Sequence, residues 1–274
     1  MKLLLLGTAA AEGWPAPFCD CPNCTIARAR GGPNLRSRSG ALLDGDFKID
    51  FNSDTLLQMQ RARRSLAELK TLVFTHQHSD HFAPQELSWV CPPYSQTPPS
   101  QPIAIYANAP IIAALREHSI LPERNDAFFT LHQMEALQNV VTNEGDEILP
   151  LPADHVEGAF VLRIKRDGKT IFYGHDSGLF PDETLEALSD GTPLDIALFD
   201  CTCGGQKTGN RGHLDVMGVL QMAQELKDRG AITETTRVVA THFSHNGGLL
   251  HEELVQTFLP HQIEVAFDGM TICV

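Results

Sequence analysis

Basic residues are scarce in this chain: Lys and Arg number 21 against 34 Asp and Glu, a formal net charge of −13. A field of that sign repels phosphate backbones unless basic side chains cluster locally, so long nucleic acids are not expected as partners. No apolar run approaches the ~20 residues that a membrane helix needs. The opening Met1-Lys2-Leu3-Leu4-Leu5-Leu6, followed by Ala9-Ala10-Ala11, imitates a secretory leader only loosely. Its apolar core is too brief, and ending at Gly7 it reads as a buried first strand, so a cytoplasmic chain with no membrane contact is expected. A disulfide framework is missing too, because the seven cysteines are odd in number and three are packed into Cys19-Asp20-Cys21-Pro22-Asn23-Cys24. Repeats, low-complexity tracts and linkers are absent, which predicts one domain over 1–274, long enough for a sizeable core. What is present, 42% hydrophobic and 20% charged residues, is globular composition and excludes disorder and fibre.

Apolar runs alternate with amphipathic stretches. Strands are predicted at 3–6, 41–43, 47–49, 72–74, 103–106, 160–164, 170–173, 196–199, 238–241 and 270–274, and helices at 55–64, 110–117, 182–188, 215–228 and 252–259. The Pro-rich segment Pro92 to Pro99 reads as a surface loop placed where it could overhang a site.

Chemistry concentrates at Thr75-His76-Gln77-His78-Ser79-Asp80-His81, directly after the apolar run Leu72-Val73-Phe74. Twelve histidines in 274 residues make such a His-x-His-x-Asp-His pattern rare by random placement. In an extended turn, positions two apart face the same way, so His76 and His78 can address one ion while Asp80 and His81 lie a step further along, which suits two ions better than one. The bland alternative is a solvated turn. Separately, Cys19, Cys21 and Cys24 could clamp a tetrahedral Zn if a fourth ligand arrives, either His245 or the pair Cys201 and Cys203.

The His/Asp segment resembles the metallo-β-lactamase superfamily. That resemblance implies an α/β fold of the α+β type, an αββα sandwich with two mixed sheets between helices and the site at one edge. It also implies an orienting carboxylate at Asp50, a third ligand for the first ion at His155, a carboxylate spanning both ions at Asp176, and His242 on the second ion beside Asp80 and His81. Two divalent cations, Zn, Mn or Fe, would then grip a water in a bridging position, acidify it to hydroxide at neutral pH and neutralise the attacked centre. His175, adjacent to Asp176, reads as a packing or surface residue.

More narrowly, the Cys-x-Cys-x2-Cys segment, the His/Asp motif and Thr241-His242-Phe243-Ser244-His245 resemble the PhnP-type phosphodiesterases of phosphonate breakdown. This implies one structural Zn on Cys19, Cys21, Cys24 and His245, and a substrate like a phosphoribosyl cyclic phosphate. The Cys segment is also similar to an accessory protein of pyrroloquinoline quinone biosynthesis. Arg211-Gly212-His213-Leu214-Asp215 opens a predicted helix, whose N-terminal N–H groups suit a phosphate. By resemblance to the Gly-His motif of phosphodiesterase branches, His213 would protonate the leaving oxygen or hold a phosphate oxygen, and it joins Asp80 and Asp50 as a catalytic candidate. His118, His132, His251 and His261 have no spaced partners and read as structural or exposed; Cys91 and Cys273 read as small buried groups.

The expected function is therefore a metal-dependent phosphoric diester hydrolase opening a small, cyclic phosphodiester by hydroxide attack. Thioester or lactone hydrolysis of the glyoxalase II kind fits the same ligands, but not the Cys segment or Gly212-His213. A non-enzymatic accessory protein is the third reading. Pairing with a second copy as a homodimer is compatible with the chain, and no interface is legible.

Overall fold

The computed structural model of the chain describes residues 1–117 and 125–274, so His118 lies outside the described residues. Along the first half run β1 (Lys2–Gly7), α1 (Pro22–Arg30), β2 (Gly40–Leu43), β3 (Phe47–Ile49), α2 (Thr55–Ala62), β4 (Thr71–Val73), β5 (Ile103–Ala107), α3 (Ala109–Glu117), α4 (Asn125–Phe128) and β6 (Phe129–Gln133). The second half holds β7 (Val140–Val141), β8 (Glu147–Pro152), β9 (Phe160–Arg166), β10 (Lys169–Gly174), α5 (Asp182–Leu188), β11 (Ile196–Asp200), α6 (Val216–Asp228), β12 (Arg237–Thr241), α7 (His251–Phe258), β13 (Glu264–Val265) and β14 (Thr271–Cys273).

These strands form two sheets, ordered β14-β1-β2-β3-β4-β5-β6 and β13-β12-β11-β10-β9-β8-β7. Each is mixed: β3 to β6 and β10 to β13 are parallel, and the remaining pairings are antiparallel. Period-two alternation builds the layers. Leu3, Leu5, Ala41, Leu43, Phe47, Ile49, Val73, Ala104 and Tyr106 turn to a core shared with the second sheet. Their neighbours Leu6, Leu42, Leu72, Phe74, Ile103 and Ile105 turn outward onto Met59 of α2 and Ile111, Ile112 and Leu115 of α3. The second sheet packs outward on α5, α6 and α7 through Leu185, Leu188, Val219, Met222, Leu254 and Phe258. The αββα sandwich expected from the resemblance is the observed fold. Among the described residues no helix is long and apolar enough to cross a membrane.

Several elements depart from the sequence pattern. The Cys segment is not all loop, since Pro22 takes the first turn of α1 and Cys21 caps it, its Sγ accepting from Cys24 N. β8 was hidden by Pro150 and Pro152, which argue against a central strand. β7 covers only its Glu147 and Ile148, so both prolines lie where no strand pairs on that side. β6, β7, β13 and α4 are short or weakly patterned. The Pro-rich loop does not overhang the histidines: its Ser95, Thr97 and Pro99 line a separate apolar cavity of about 280 Å³ beside α2. Cys91 is buried, whereas Cys273 is exposed, on the edge strand β14. His132 stacks on Tyr106, His251 lies 3.0 Å from an Arg36 nitrogen, and His261 is exposed.

A buried guanidinium joins the two sheets away from the site. Arg166, at the end of β9, donates Nε and Nη2 to both oxygens of Asp146 at 2.7 and 2.6 Å, and Nη1 to Asp46 in the β2–β3 turn at 2.7 Å. Its removal strands the buried Asp146 carboxylate. Arg166→Ala is expected to cost about 3–5 kcal/mol in urea unfolding; a loss under ~1 kcal/mol would show that solvent replaces the guanidinium.

Candidate metal centre

The parallel strands of both sheets end on the same edge, and the residues that follow them carry the polar chemistry. Asp50 follows β3, Thr75 to His81 follow β4, Asp176 follows β10, Asp200 ends β11 and His242 follows β12. Three of these turns are left-handed at non-glycine residues: Asp50, Asp176 and His242 have φ of 57°, 50° and 59°. Such backbone costs about 1–3 kcal/mol per residue and persists only where the surroundings over-determine it. The sheets are joined here as well, since Phe160 N donates to Thr75 O and Phe243 N to Thr8 O.

Ligand-type atoms converge in two adjoining groups, each within 4.8 Å: His76, His78, His155 and Asp176, then Asp80, His81, Asp176 and His242. In the first, His155 Nε2 lies 3.1 Å from His78 Nδ1, and Asp176 Oδ2 is 3.5 and 3.7 Å from His76 and His155 Nε2. In the second, His81 Nε2 is 3.2 Å from both Asp80 and Asp176, and His242 Nε2 is 2.9 Å from Asp176 Oδ1. Donors ~2.1 Å from one cation stand about 3.0–3.4 Å apart, so these spacings suit ligation. His76 Nε2, His81 Nε2, His242 Nε2 and Asp176 Oδ1 are all buried without a hydrogen-bond partner in the described structure, which is costly unless a cation satisfies them. The donor set therefore fits two divalent ions sharing Asp176.

Charge and outer contacts agree with that fit. Burial opposes ionisation of Asp176, yet His242 and His81 more than offset it and hold its carboxyl well below the usual range. Burial likewise disfavours charge on His81 and His242, but facing carboxylates, Asp176 foremost, raise both; His76, with imidazoles around it, is pushed down by burial. The field that holds a proton on His81 and His242 also attracts a cation able to displace it. Three of the rings are oriented from behind: His81 Nδ1 lies 2.6 Å from Asp50, His155 Nδ1 3.1 Å from Gly212 O, and His242 Nδ1 2.7 Å from Thr202 Oγ1 and 3.2 Å from Asp200. Asp50 thus touches a ring of the cluster without facing its interior. His175 is buried and stacks on Tyr173 at 3.8 Å, away from the converging atoms.

Asp200 is the residue the sequence reading overlooked, although an apolar run, Ile196 to Phe199, ending in a carboxylate was its signal. Fully buried, it accepts from Thr202 N and Leu214 N through Oδ1 and holds His213 Nδ1 at 2.8 Å through Oδ2. Burial opposes its charge, but His213 brings its pKa down to about 2, and in return Asp200 raises His213 against burial. His213 does not cap α6. That helix is capped by Asp215, whose carboxylate takes Gly218 N, so its first turn is not open to a phosphate. His213 stands two residues earlier, its ring 4.9 Å from His155 and 5.6 Å from His242, on the wall of a cavity of about 430 Å³. The segment before His213 packs closely on Gly178, where a Cβ would fall 2.3 Å from Asn210 O and 2.4 Å from Asp154 Oδ2.

The cysteines form their own group. Cys19, Cys21, Cys24 and His245 place their ligand atoms within 4.8 Å, with His245 Nδ1 3.8 Å from Cys19 Sγ and 3.6 Å from Cys21 Sγ. Tetrahedral Zn with ordinary bond lengths separates S and N by about 3.6 Å. The backbone N–H of Cys24, with help from His245, lowers Cys21 to about 6, while burial lifts Cys24 to about 11. His245 completes this group, and Cys201 and Cys203 stay outside it.

Comparison with known proteins places this geometry. "Coenzyme PQQ synthesis protein B" of Acinetobacter baumannii is 24% identical over 309 aligned positions, covering 99% of both chains. Zn(2+)-bound PqqB from Methylobacterium extorquens superposes with a TM-score of 0.79 at 19% identity over the whole of both chains. A diphosphatase from the PhnP family superposes at 0.74 with 23% identity, over 100% of this chain and 97% of the other. Likeness at this identity speaks for the fold alone. The model of the beta-lactamase superfamily domain matches residues 46–243, spanning every residue of the two His/Asp groups, and the chain belongs to that superfamily.

Proposed function

We propose that the chain is a metal-dependent phosphodiesterase acting on a small phosphodiester. The observation that carries this reading is the Asp200–His213 pair on the wall of the cavity that His78, His155, Asp176 and His242 also line. Bound to the two His/Asp groups, divalent cations would acidify a water to neutral pH and neutralise charge on the attacked phosphorus. The rest belongs to the chain. Asp200 takes His213 Nδ1, so Nε2 is the nitrogen left for the cavity, and the facing carboxylate raises the ring's pKa against burial, which favours its protonated form. A protonated imidazole can hold a phosphate oxygen in the ground state and deliver its proton to the departing alkoxide, a role that cleavage of a thioester, whose thiolate departs readily, needs less. Asp50, Thr202 and Gly212 O fix the ligand rings, and the Cys/His group would take a structural Zn. A second reading, an accessory role in cofactor biosynthesis, draws on the coenzyme PQQ synthesis proteins among the relatives.

Leaving-group dependence separates the two. His213→Ala should lower kcat/KM on a 2′,3′-cyclic nucleotide about 10²–10⁴-fold, yet cost less than about tenfold on bis(p-nitrophenyl) phosphate, whose leaving group departs unprotonated. Equal losses on both substrates would remove the proton-donor role, and no turnover of either by the metal-loaded chain would favour the accessory reading.

The acid role has a sign in pH. Because His213 must carry its proton, turnover of the cyclic substrate should fall as pH rises through the raised His213 value, and that limb should vanish in His213→Ala. A high-pH limb unchanged in the variant would assign it elsewhere.

Metal content tests the ligand groups directly. Purified chain should hold about three ions, Cys24→Ser about two, and His78→Ala should lose ions from the His/Asp groups while the thiol group keeps its own. Two ions in the parent chain, unchanged by Cys24→Ser, would leave the thiols without a metal role.

A further inference from the structure

The cavity above the His/Asp groups has a second wall that neither the ligand set nor His213 accounts for. It is made by Glu12, Thr202, Gln206, Thr208, Ser244 and Asn246. Among the described residues lining the cavity there is no Lys or Arg, and Glu12 is an acidic group that belongs to neither His/Asp group. The basic residues adjacent to lining segments do not line the cavity. Lys207 and Arg211 are exposed, and Arg38 donates to Ala11 O and pairs with Asp54 at 3.1 Å.

Glu12 is held in place from behind. It sits in the turn after β1, where Gly13 N donates to Ala10 O, and Ala10 N in turn donates to Phe243 O in the segment after β12. Its Oε1 accepts from Ser244 Oγ and stands 3.6 Å from His245 Nε2, the ring nitrogen opposite the thiols. No side chain among the described residues is recorded donating to Oε2, which leaves that oxygen for a ligand in the cavity. The carboxylate thus closes a contact running from the Cys/His group to the substrate side. Thr202, Gln206, Thr208 and Asn246 add hydroxyl and amide groups to the same cavity, the partners that match a sugar or polyol.

Resting on the phosphodiesterase reading, we propose that Glu12 is a specificity-determining residue. It selects diesters whose non-reacting arm is uncharged and hydroxyl-rich, an unphosphorylated nucleoside or polyol, and it excludes arms that carry a second phosphate. The reacting phosphoryl brings one negative charge, which the His/Asp side of the cavity is built to meet. A further phosphate adds about −1.5 to −2 at neutral pH. In this cavity it would meet a carboxylate and, among the lining residues, no Lys or Arg, and like charges brought together discriminate against the ligand that carries them. This departs from the phosphorylated ribose substrate implied by the sequence resemblance.

The test uses the full chain loaded with Mn or Zn, with adenosine 2′,3′-cyclic phosphate against the same compound bearing a 5′-phosphate. The expected result is a kcat/KM at least about tenfold higher for the unphosphorylated arm, with the ratio narrowing several-fold in Glu12→Gln. Equal rates, or preference for the 5′-phosphorylated compound, would overturn the proposal. Calorimetric binding of adenosine 3′-monophosphate and adenosine 3′,5′-bisphosphate to the same loaded chain separates this proposal from the reading beneath it. If neither diester turns over, the phosphodiesterase reading fails, and tighter binding of the monophosphate by about tenfold still supports charge selection while equal binding overturns it. Zinc retained by Glu12→Gln against a chelator shows that the change acts through charge and not through loss of His245; if zinc is lost, the ratio in the parent chain alone decides.

Discussion

Asp176 is a buried carboxylate pressed against imidazoles from three different segments, with His76, His81, His155 and His242 all within 3.7 Å. No arrangement of protons satisfies such a group well. Protonating enough rings to pair the two carboxylates would bury several charges side by side, and leaving the rings neutral strands their facing nitrogens. Divalent cations resolve both problems at once. The remaining architecture follows from the need to hold these donors together: three left-handed turns, an outer carboxylate or carbonyl behind rings on both groups, and a hydrogen bond from β9 back to Thr75.

Asp200 links that demand to proton transfer. Its Oδ2 stands 3.2 Å from His242 Nδ1, a ring of the ligand cluster, and 2.8 Å from His213 Nδ1, the candidate acid. One buried carboxylate therefore sets the orientation of two imidazoles with different tasks. Its own charge is kept by His213 and His242, while the N–H groups of Thr202, just past β11, and Leu214, just before α6, fix its Oδ1 in place. The Cys/His group occupies the analogous place on the other flank. There His245 faces three thiols with Nδ1 and Glu12 with Nε2, which makes the N-terminal segment part of the cavity wall.

Much of this was legible beforehand. The His-x-His-x-Asp-His run after an apolar strand and the three spaced cysteines carried recognisable spacing, whereas Asp50, His155, Asp176 and His242 were legible only through the family resemblance and the order it implies. The strands β2 to β5 were equally plain as apolar runs, because they bury both faces between different layers. β8 was not legible, since two prolines mimic a loop unless one knows that no strand pairs with this stretch on its outer side. The fate of the α6 N-terminus was not legible either. His213 and Asp215 both look able to serve a phosphate there, and only the fold shows Asp215 turned back onto Gly218 N.

What the sequence by itself determined was the inventory of donors, because metal-binding residue types clustered in short spacings are informative without coordinates. Which donors share an ion, which carboxylate stands behind a ring and which faces the cavity were decided only by the tertiary structure. Asp50, Asp80, Asp176 and Asp200 are the same side chain in sequence. They differ in role because two sheets bring their strand ends to one edge, and a carboxylate's function there depends on which nitrogen, at about 3 Å, its oxygen reaches.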